Sequence, residues 1–221
     1  MAGFRTPGPL CGSRSEPIDS GTLCLWRTPP PGPVCRAAEP PAKQWHLQSR
    51  AGGFPALTLA FGTEGVALLK EIEELHLKPY DDQTGKTIAA WVAGATIGYG
   101  HLIAEADWAS YKDGITATAA DALFAVDMAP FEAVVAASVT TGLQQYEFDA
   151  LVIFAFNIGE RGFKGSSVVK MINDPKALTG YATLEAAWKS WNKSQGKVMK
   201  GLDNRRRCEW QIYTMARYER W

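Results

Sequence analysis

The chain has 221 residues, with 23 Lys+Arg against 23 Asp+Glu. Its 46% hydrophobic content excludes disorder of the whole chain, and balanced charge argues against a general nucleic-acid binder. No apolar run approaches the ~18 residues of a membrane-spanning helix, and no basic stretch leads into an apolar one, so neither a secretory leader nor an anchor is expected.

Composition breaks near residue 55. Residues 1–55 hold 10 of the 13 Pro, three of the four Cys and seven of the 21 Gly. Proline at this density prevents regular helix and sheet, so 1–55 reads as a disordered tail and 56–221 as one folded domain. Cys11, Cys24 and Cys35 lie in the tail and Cys208 stands apart. Their spacing fits neither a disulfide framework nor a zinc site, and free thiols fit a reducing cytoplasm.

In the folded part, Thr63 is placed to cap a helix carrying Val66, Leu69, Ile72 and Leu75, which Pro79 ends at the latest. Residues 77–103 are rich in Thr, Ile, Val and aromatics punctuated by Gly85, Gly94, Gly98 and Gly100, the pattern of a small antiparallel sheet. Thr116 or Thr118 can cap a helix that Pro130 should break before Val134 and Val135. Residues 144–158 form the most apolar helix, closed by Gly159. Ser166 or Ser167 can cap the next, which Asn173-Asp174-Pro175 ends, and Leu184–Trp191 and Arg206–Tyr218 complete the set. The expected fold is α+β: one helix, a small antiparallel sheet, then a mostly helical lobe with a cleft between them. Residues 189–221 carry nine Lys/Arg against three Asp/Glu, either a solvated face or a surface attracted to an anionic polymer.

The densest polar cluster is 71-EIEELHLKPYDDQTG-85 with 96-TIGYGH-101. A carboxylate at a helix end, a second within nine residues on a strand, and a Thr on the next strand can face one another across a cleft. Glycosidic-bond hydrolysis needs two such carboxyls, one protonated to donate to the leaving oxygen and one ionised. Pattern alone does not choose among Glu71, Glu73 and Glu74, or between Asp81 and Asp82.

These blocks, followed by FDALVIFAFNIG, GSSVVKMIN and GLDNRRRCEW, resemble in order the phage-type lysozymes (endolysins) of glycoside hydrolase family 24, over about residues 62–221. The resemblance implies a lysozyme-like fold and a peptidoglycan muramidase with no metal or organic cofactor. Laid on the family motif, Glu73 matches the general acid, and Asp82 and Thr96 match the pair that holds the attacking water, which implies inversion. Arg205 matches an Arg that pairs with the acid or lines the cleft. Asn157 matches polar support behind the cleft. His101 matches a residue that ties the sheet to the rest of the domain. The chain departs from the motif in two places. Glu74 replaces a Gly that follows the acid, at a strain cost if φ is positive there and with a like charge that would raise the pKa of Glu73. The stretch between Asp82 and Thr96 is also longer than in the shortest family members.

Two other activities fit the same residues: a lytic transglycosylase, which needs the acid but no water pair, and a non-enzymatic wall binder made degenerate by Glu74. Retention of Asp82 and Thr96 favours hydrolysis. The resemblance further implies peptidoglycan as the partner, a monomer, storage in the bacterial host cytoplasm, and release by a membrane-permeabilising holin.

Overall fold

The computed structural model describes residues 53–221; most of the proline-rich tail, with Cys11, Cys24 and Cys35, lies outside the described residues. Its last two members do not behave as tail. Phe54–Pro55 form β1 and pair antiparallel with β5 (Gly142–Leu143). Residues 54 and 55, assigned to the tail, therefore pair with the folded part. Backbone contact decides it rather than composition, because a Cβ on Gly53 would lie 2.8 Å from the Gly142 carbonyl carbon.

Helix α1 spans Thr63–Glu73 and its N-cap is Gly62, so Thr63 is the first helical residue rather than the cap. No side chain caps this end; Gly62 is instead anchored by donating its own N–H to Asp149 Oδ1 at 2.8 Å. Leu75, expected on the buried helix face, lies past the helix end and is 40% exposed. The helix stops because Glu74 takes φ 56°, ψ 146°, a conformation that no helix continues through. Leu69 of α1 packs with Phe124 and Met128 in a small core of its own.

The sheet follows as β2 (His76–Asp81), β3 (Ala95–Gly98) and β4 (His101–Leu102), antiparallel in that spatial order. Tyr80 opposes Thr96, Asp81 opposes Ala95, and Thr96 opposes Leu102, so Thr96 sits on the central strand. The register shifts between His76 and Tyr80. The long connection from Asp82 to Gly94 first turns tightly, with Gly85 donating to the Asp81 carbonyl at 2.7 Å, and Thr87 then bridges Tyr80. Gly94, at φ 100°, ends it and returns the chain to β3.

The remainder is helical: α2 (Trp108–Tyr111), α3 (Ala117–Ser138), α4 (Gln145–Ile158), α5 (Glu160–Gly165), α6 (Ser167–Asn173), α7 (Leu184–Lys189) and α8 (Lys200–Met215). Thr116 and Ser166 cap α3 and α6 by accepting the Ala119 and Val169 N–H groups, and Gly159 ends α4 at φ 79°, all at the positions the sequence indicates. Pro130 does not break α3, which runs through it for 22 residues. A proline removes one N–H and crowds one carbonyl, but Phe124 and Met128 on one side and Val134 and Val135 on the other are all buried, so packing holds the helix across the defect. Helix α8 starts at Lys200, six residues before the expected Arg206, and a two-stranded ribbon precedes it: β6 (Lys193–Ser194) with β7 (Lys197–Val198).

The principal core surrounds α4. Phe148, Leu151, Val152, Ile153 and Phe154 are fully buried and meet Trp188, Phe163, Ile212 and Tyr213 from α7, α5 and α8. Each large apolar side chain buried here contributes roughly 1.5–3 kcal/mol. Rigid packing between α4 and α8 matters for the site, because α8 carries Arg205. No described helix is long and apolar enough to cross a membrane.

Candidate active site

Three glutamates close α1, and the fold separates them. Glu71 and Glu74 side chains are 60% and 62% exposed, each 3.7 Å from the Arg220 guanidinium, whereas the Glu73 side chain is only 3% exposed. Burial pushes the Glu73 carboxyl up from its ordinary 4.5 to about 7, against the opposing pull of Arg205. Taking a carboxylate out of water disfavours its charged form more than one distant cation favours it. The like charge of Glu74, expected to raise this value, is not the cause: its side chain turns to Arg220. Its backbone does meet the expectation, since φ is +56° at the position where the family motif has Gly.

Arg205 reaches Glu73 from α8, 132 residues away in sequence, with Nη2 3.4 Å from Glu73 Oε1. Its Nε lies 3.5 Å from Glu209 Oε1, and its side chain is 6% exposed. One guanidinium is thus shared between two buried carboxyls, which weakens its hold on either. Glu209 is fully buried and also accepts from Arg206 Nη2 at 2.7 Å and from Trp188 Nε1 at 3.0 Å. Asn157 belongs to this layer. Its Oδ1 accepts from Arg206 Nη2 at 2.7 Å, so it supports Arg206 rather than touching Glu73 or Arg205. Burial drives the Arg206 guanidinium down to about 10 and the Glu209 carboxyl upward, against the attraction of each for the other.

The two aspartates at the end of β2 separate in the same way, with Asp82, expected on the strand, one residue past it in the turn. Asp81 is committed to its own turn: Oδ1 accepts the Gln83 N–H at 3.0 Å and Oδ2 the Thr84 hydroxyl at 2.8 Å. Asp82 is held by its backbone, donating its N–H to the Gly94 carbonyl at 3.1 Å, and the Thr96 hydroxyl donates to that same carbonyl at 2.9 Å. A single carbonyl therefore ties Asp82 and Thr96 together. Gly94 must be glycine for this. Besides its positive φ, a Cβ there would lie 2.4 Å from Asp82 Oδ1. Thr96 is buried. Asp82 Oδ1 is also buried and has no hydrogen-bond partner among the described residues. Burial, then the neighbouring Asp81 charge, raises the Asp82 pKa.

Tyr80 links the two walls. Burial first, then the charges of Glu73, Asp82 and Glu74, push its phenol up to about 12, so it stands within the field of both the helix-end and the strand carboxyls. His101 ties β4 to α3, with Nδ1 3.0 Å from both carboxylate oxygens of Asp127. A cavity of about 210 Å³ between α1 and α3, lined by Phe61, Val66, Lys70, Phe124 and Met128 among others, includes none of the six candidate residues.

Glu209, Asp127 and Trp221 were not legible in the sequence as members of the site. Glu209 had a local signal in the i, i+3 spacing from Arg206. The rest are brought to the site only by tertiary contacts. Among the described residues, no group of three or more His, Cys, Asp or Glu is arranged to hold a metal ion.

A buried acid at a helix end, facing a three-stranded sheet and backed by a helical lobe, is the arrangement of a lysozyme-type fold, and comparison with known proteins agrees. Residues 70–209 match the phage lysozyme family model, and the chain belongs to that family. It is 35% identical over 149 residues to the endolysin of Bacillus phage PZA, covering 67% of this chain and 53% of that protein, so it spans about half of that relative. It is 33% identical over 153 residues to the endolysin of Salmonella phage P22, covering 68% and 95%. Among solved structures, the endolysin from Escherichia coli O157:H7 phage FAHEc1 superposes with a TM-score of 0.57 at 28% identity, over 74% of this chain and 98% of that one. The muramidase domain of SpmX from Asticaccaulis excentricus gives 0.55 at 30% identity, over 71% and 99%.

Proposed function

We propose that this protein is an endolysin: a muramidase that hydrolyses the β-1,4 bond between N-acetylmuramic acid and N-acetylglucosamine in bacterial peptidoglycan. The observation that carries the reading is the Glu73 carboxyl, 3% exposed and with a pKa near 7. A general acid must hold its proton at the working pH and release it as the glycosidic oxygen gains charge, which a value close to neutrality allows. Glu73 donates that proton to the leaving oxygen. Asp82 and Thr96, tied through the Gly94 carbonyl, hold the attacking water. The unmatched Asp82 Oδ1 has the acceptor capacity to orient and deprotonate it, and a hydroxyl that both donates and accepts suits positioning. Attack from the face opposite the leaving group inverts the anomeric carbon. Arg205 limits how far the Glu73 pKa rises and then stabilises the carboxylate that proton transfer leaves behind.

Asn157, through Arg206, and His101, through Asp127, act as supports that fix α8 and the sheet relative to each other. Every residue given a role here lies within 53–221, which this reading takes as the catalytic domain. The wider setting belongs to the same reading: a monomer that is stored in the host cytoplasm, reaches the wall after a separate holin opens the membrane, and needs no cofactor.

Digestion of purified peptidoglycan followed by analysis of the glycan ends tests the proposal. New reducing ends on N-acetylmuramic acid, lost in Glu73→Gln, are the expected result. Products ending in 1,6-anhydro-muramic acid would make the protein a lytic transglycosylase. No products from the folded wild-type chain would leave a wall binder.

A further inference from the structure

After α8 the chain turns sharply and runs back toward the acid. Ala216 makes the turn in the left-handed region, at φ 54°. Tyr218 Oη then donates to Asp149 Oδ2 at 2.6 Å, and the other oxygen of Asp149 receives the Gly62 N–H at the start of α1. Arg220 lies 3.7 Å from both Glu71 and Glu74, the exposed residues on either side of Glu73. The Trp221 ring sits over Arg205, with its centre 4.7 Å from the guanidinium carbon. Residues 218–221 therefore lie against the C-terminal end of the helix that carries the acid, reach its N-terminal end through Asp149, and cover the cation that faces the acid. Tyr218 and Trp221 pack partly buried against the main core, which gives the segment a fixed seat.

We propose that residues 216–221 are a positioning strap for the general acid, in which Trp221 covers Arg205 and holds it on Glu73. The proposal rests on the reading of Glu73 as that acid. A flat aromatic face satisfies a guanidinium without supplying a hydrogen-bond acceptor. Trp221 can thus exclude water from one face of Arg205 without competing with Glu73 or Glu209 for its N–H groups. The strap is a positioning element and contributes no atom to the reaction.

The groups that face Glu73 fix the direction of the effect. Arg205 faces it from α8, with Glu209 and Arg206 behind. Tyr80 faces it from β2, with Asp82 beyond. Glu71 and Glu74 flank it and are drawn to Arg220. Burial is the largest influence on the Glu73 carboxyl and Arg205 the smaller one. The Trp221 ring lies against Arg205, so removing it loosens Arg205 and weakens the influence that lowers the Glu73 carboxyl, while the burial that raises it remains. Glu73 therefore holds its proton more tightly.

The test uses the full chain and two readouts: the carboxyl ¹³C NMR titration of Glu73, assigned by its absence in Glu73→Gln, and the pH profile of wall lysis. In Trp221→Ala the Glu73 midpoint should rise by on the order of half a pH unit, and the high-pH limb of lysis should shift to higher pH with it. Trp221→Phe should restore both. If the alanine variant does not fold, Trp221→Leu replaces it, since it keeps apolar cover but lacks an aromatic face. A midpoint that stays in place or falls overturns the strap. Lysis that survives in Glu73→Gln would instead overturn the acid assignment, and the NMR titration would still judge the strap.

Discussion

Replacing Glu73 with Gln keeps the shape of the side chain and removes both its proton and its charge. The wild-type carboxyl titrates near 7 in the folded protein against an ordinary 4.5. Below pH 4.5 both the folded and unfolded states hold the proton, and the group costs nothing. Between 4.5 and 7 the unfolded chain has released it and the folded protein has not, so folding is progressively opposed. Above 7 the penalty is constant. At about 1.4 kcal/mol per pH unit, the interval from 4.5 to about 7 amounts to roughly 3 kcal/mol. Gln carries no such penalty. It also leaves Arg205 one carboxyl short, but Glu209 remains 3.5 Å from Nε, and that loss is much less dependent on pH. The stability of Glu73→Gln relative to wild type should therefore rise by about 3 kcal/mol from pH 4 to pH 8, with a gain in Tm at pH 8 over pH 4 of roughly 6–12 °C relative to wild type. Urea unfolding at pH 4, 6 and 8 measures it. The same variant should show no wall lysis in a turbidity assay, and wild-type lysis should decline as pH rises through about 7. A stability difference that is flat with pH would mean that Glu73 is not held protonated by burial, and the argument for it as the acid would fail with it.

Asp82→Ala should lower lysis by on the order of 10²-fold or more, while Asp81→Ala should cost only the local turn that its two hydrogen bonds hold; the reverse order in turbidity assays would assign the water to Asp81. Glu74→Gly should stabilise the fold by about 1 kcal/mol in urea unfolding by relieving the positive φ, with lysis maintained or raised, since the long, exposed contact to Arg220 contributes little. Deleting residues 1–52 should leave folding and lysis intact, whereas continuing the deletion through Pro55 removes the β1–β5 pairing and should lower Tm. Lysis of intact wall should weaken with salt more than cleavage of a short soluble oligosaccharide does, because Lys193, Lys197 and Lys200 are exposed on the β6–β7 ribbon and at the start of α8. Charge reversal at those three lysines should bring the two salt dependences together, and equal salt dependence in the wild type would refute the attraction.

Features decided within a few residues could be read from the sequence. Thr116 and Ser166 cap because their hydroxyls reach an N–H three residues on, Gly159 ends α4 because it alone accepts φ 79° without strain, and the family motif laid on the chain put Glu73 at a helix end and Thr96 on a strand, with Asp82 falling one residue past β2. The positive φ at Glu74 followed from the motif it departs from. Features that depend on which surfaces meet could not be read from the sequence. Three glutamates stand within four residues, and only packing against α8 buries Glu73 and leaves Glu71 and Glu74 to Arg220. Arg206, one of nine Lys/Arg in a basic stretch, is fully buried beside Glu209. Pro130 breaks a helix by local rules and fails to do so here, because side chains on both sides of it are fixed in the core. Local sequence sets backbone geometry through short-range sterics and hydrogen bonds, while the pKa of a carboxyl is set by how much water and charge surround it. That quantity exists only once segments 132 residues apart have been brought together.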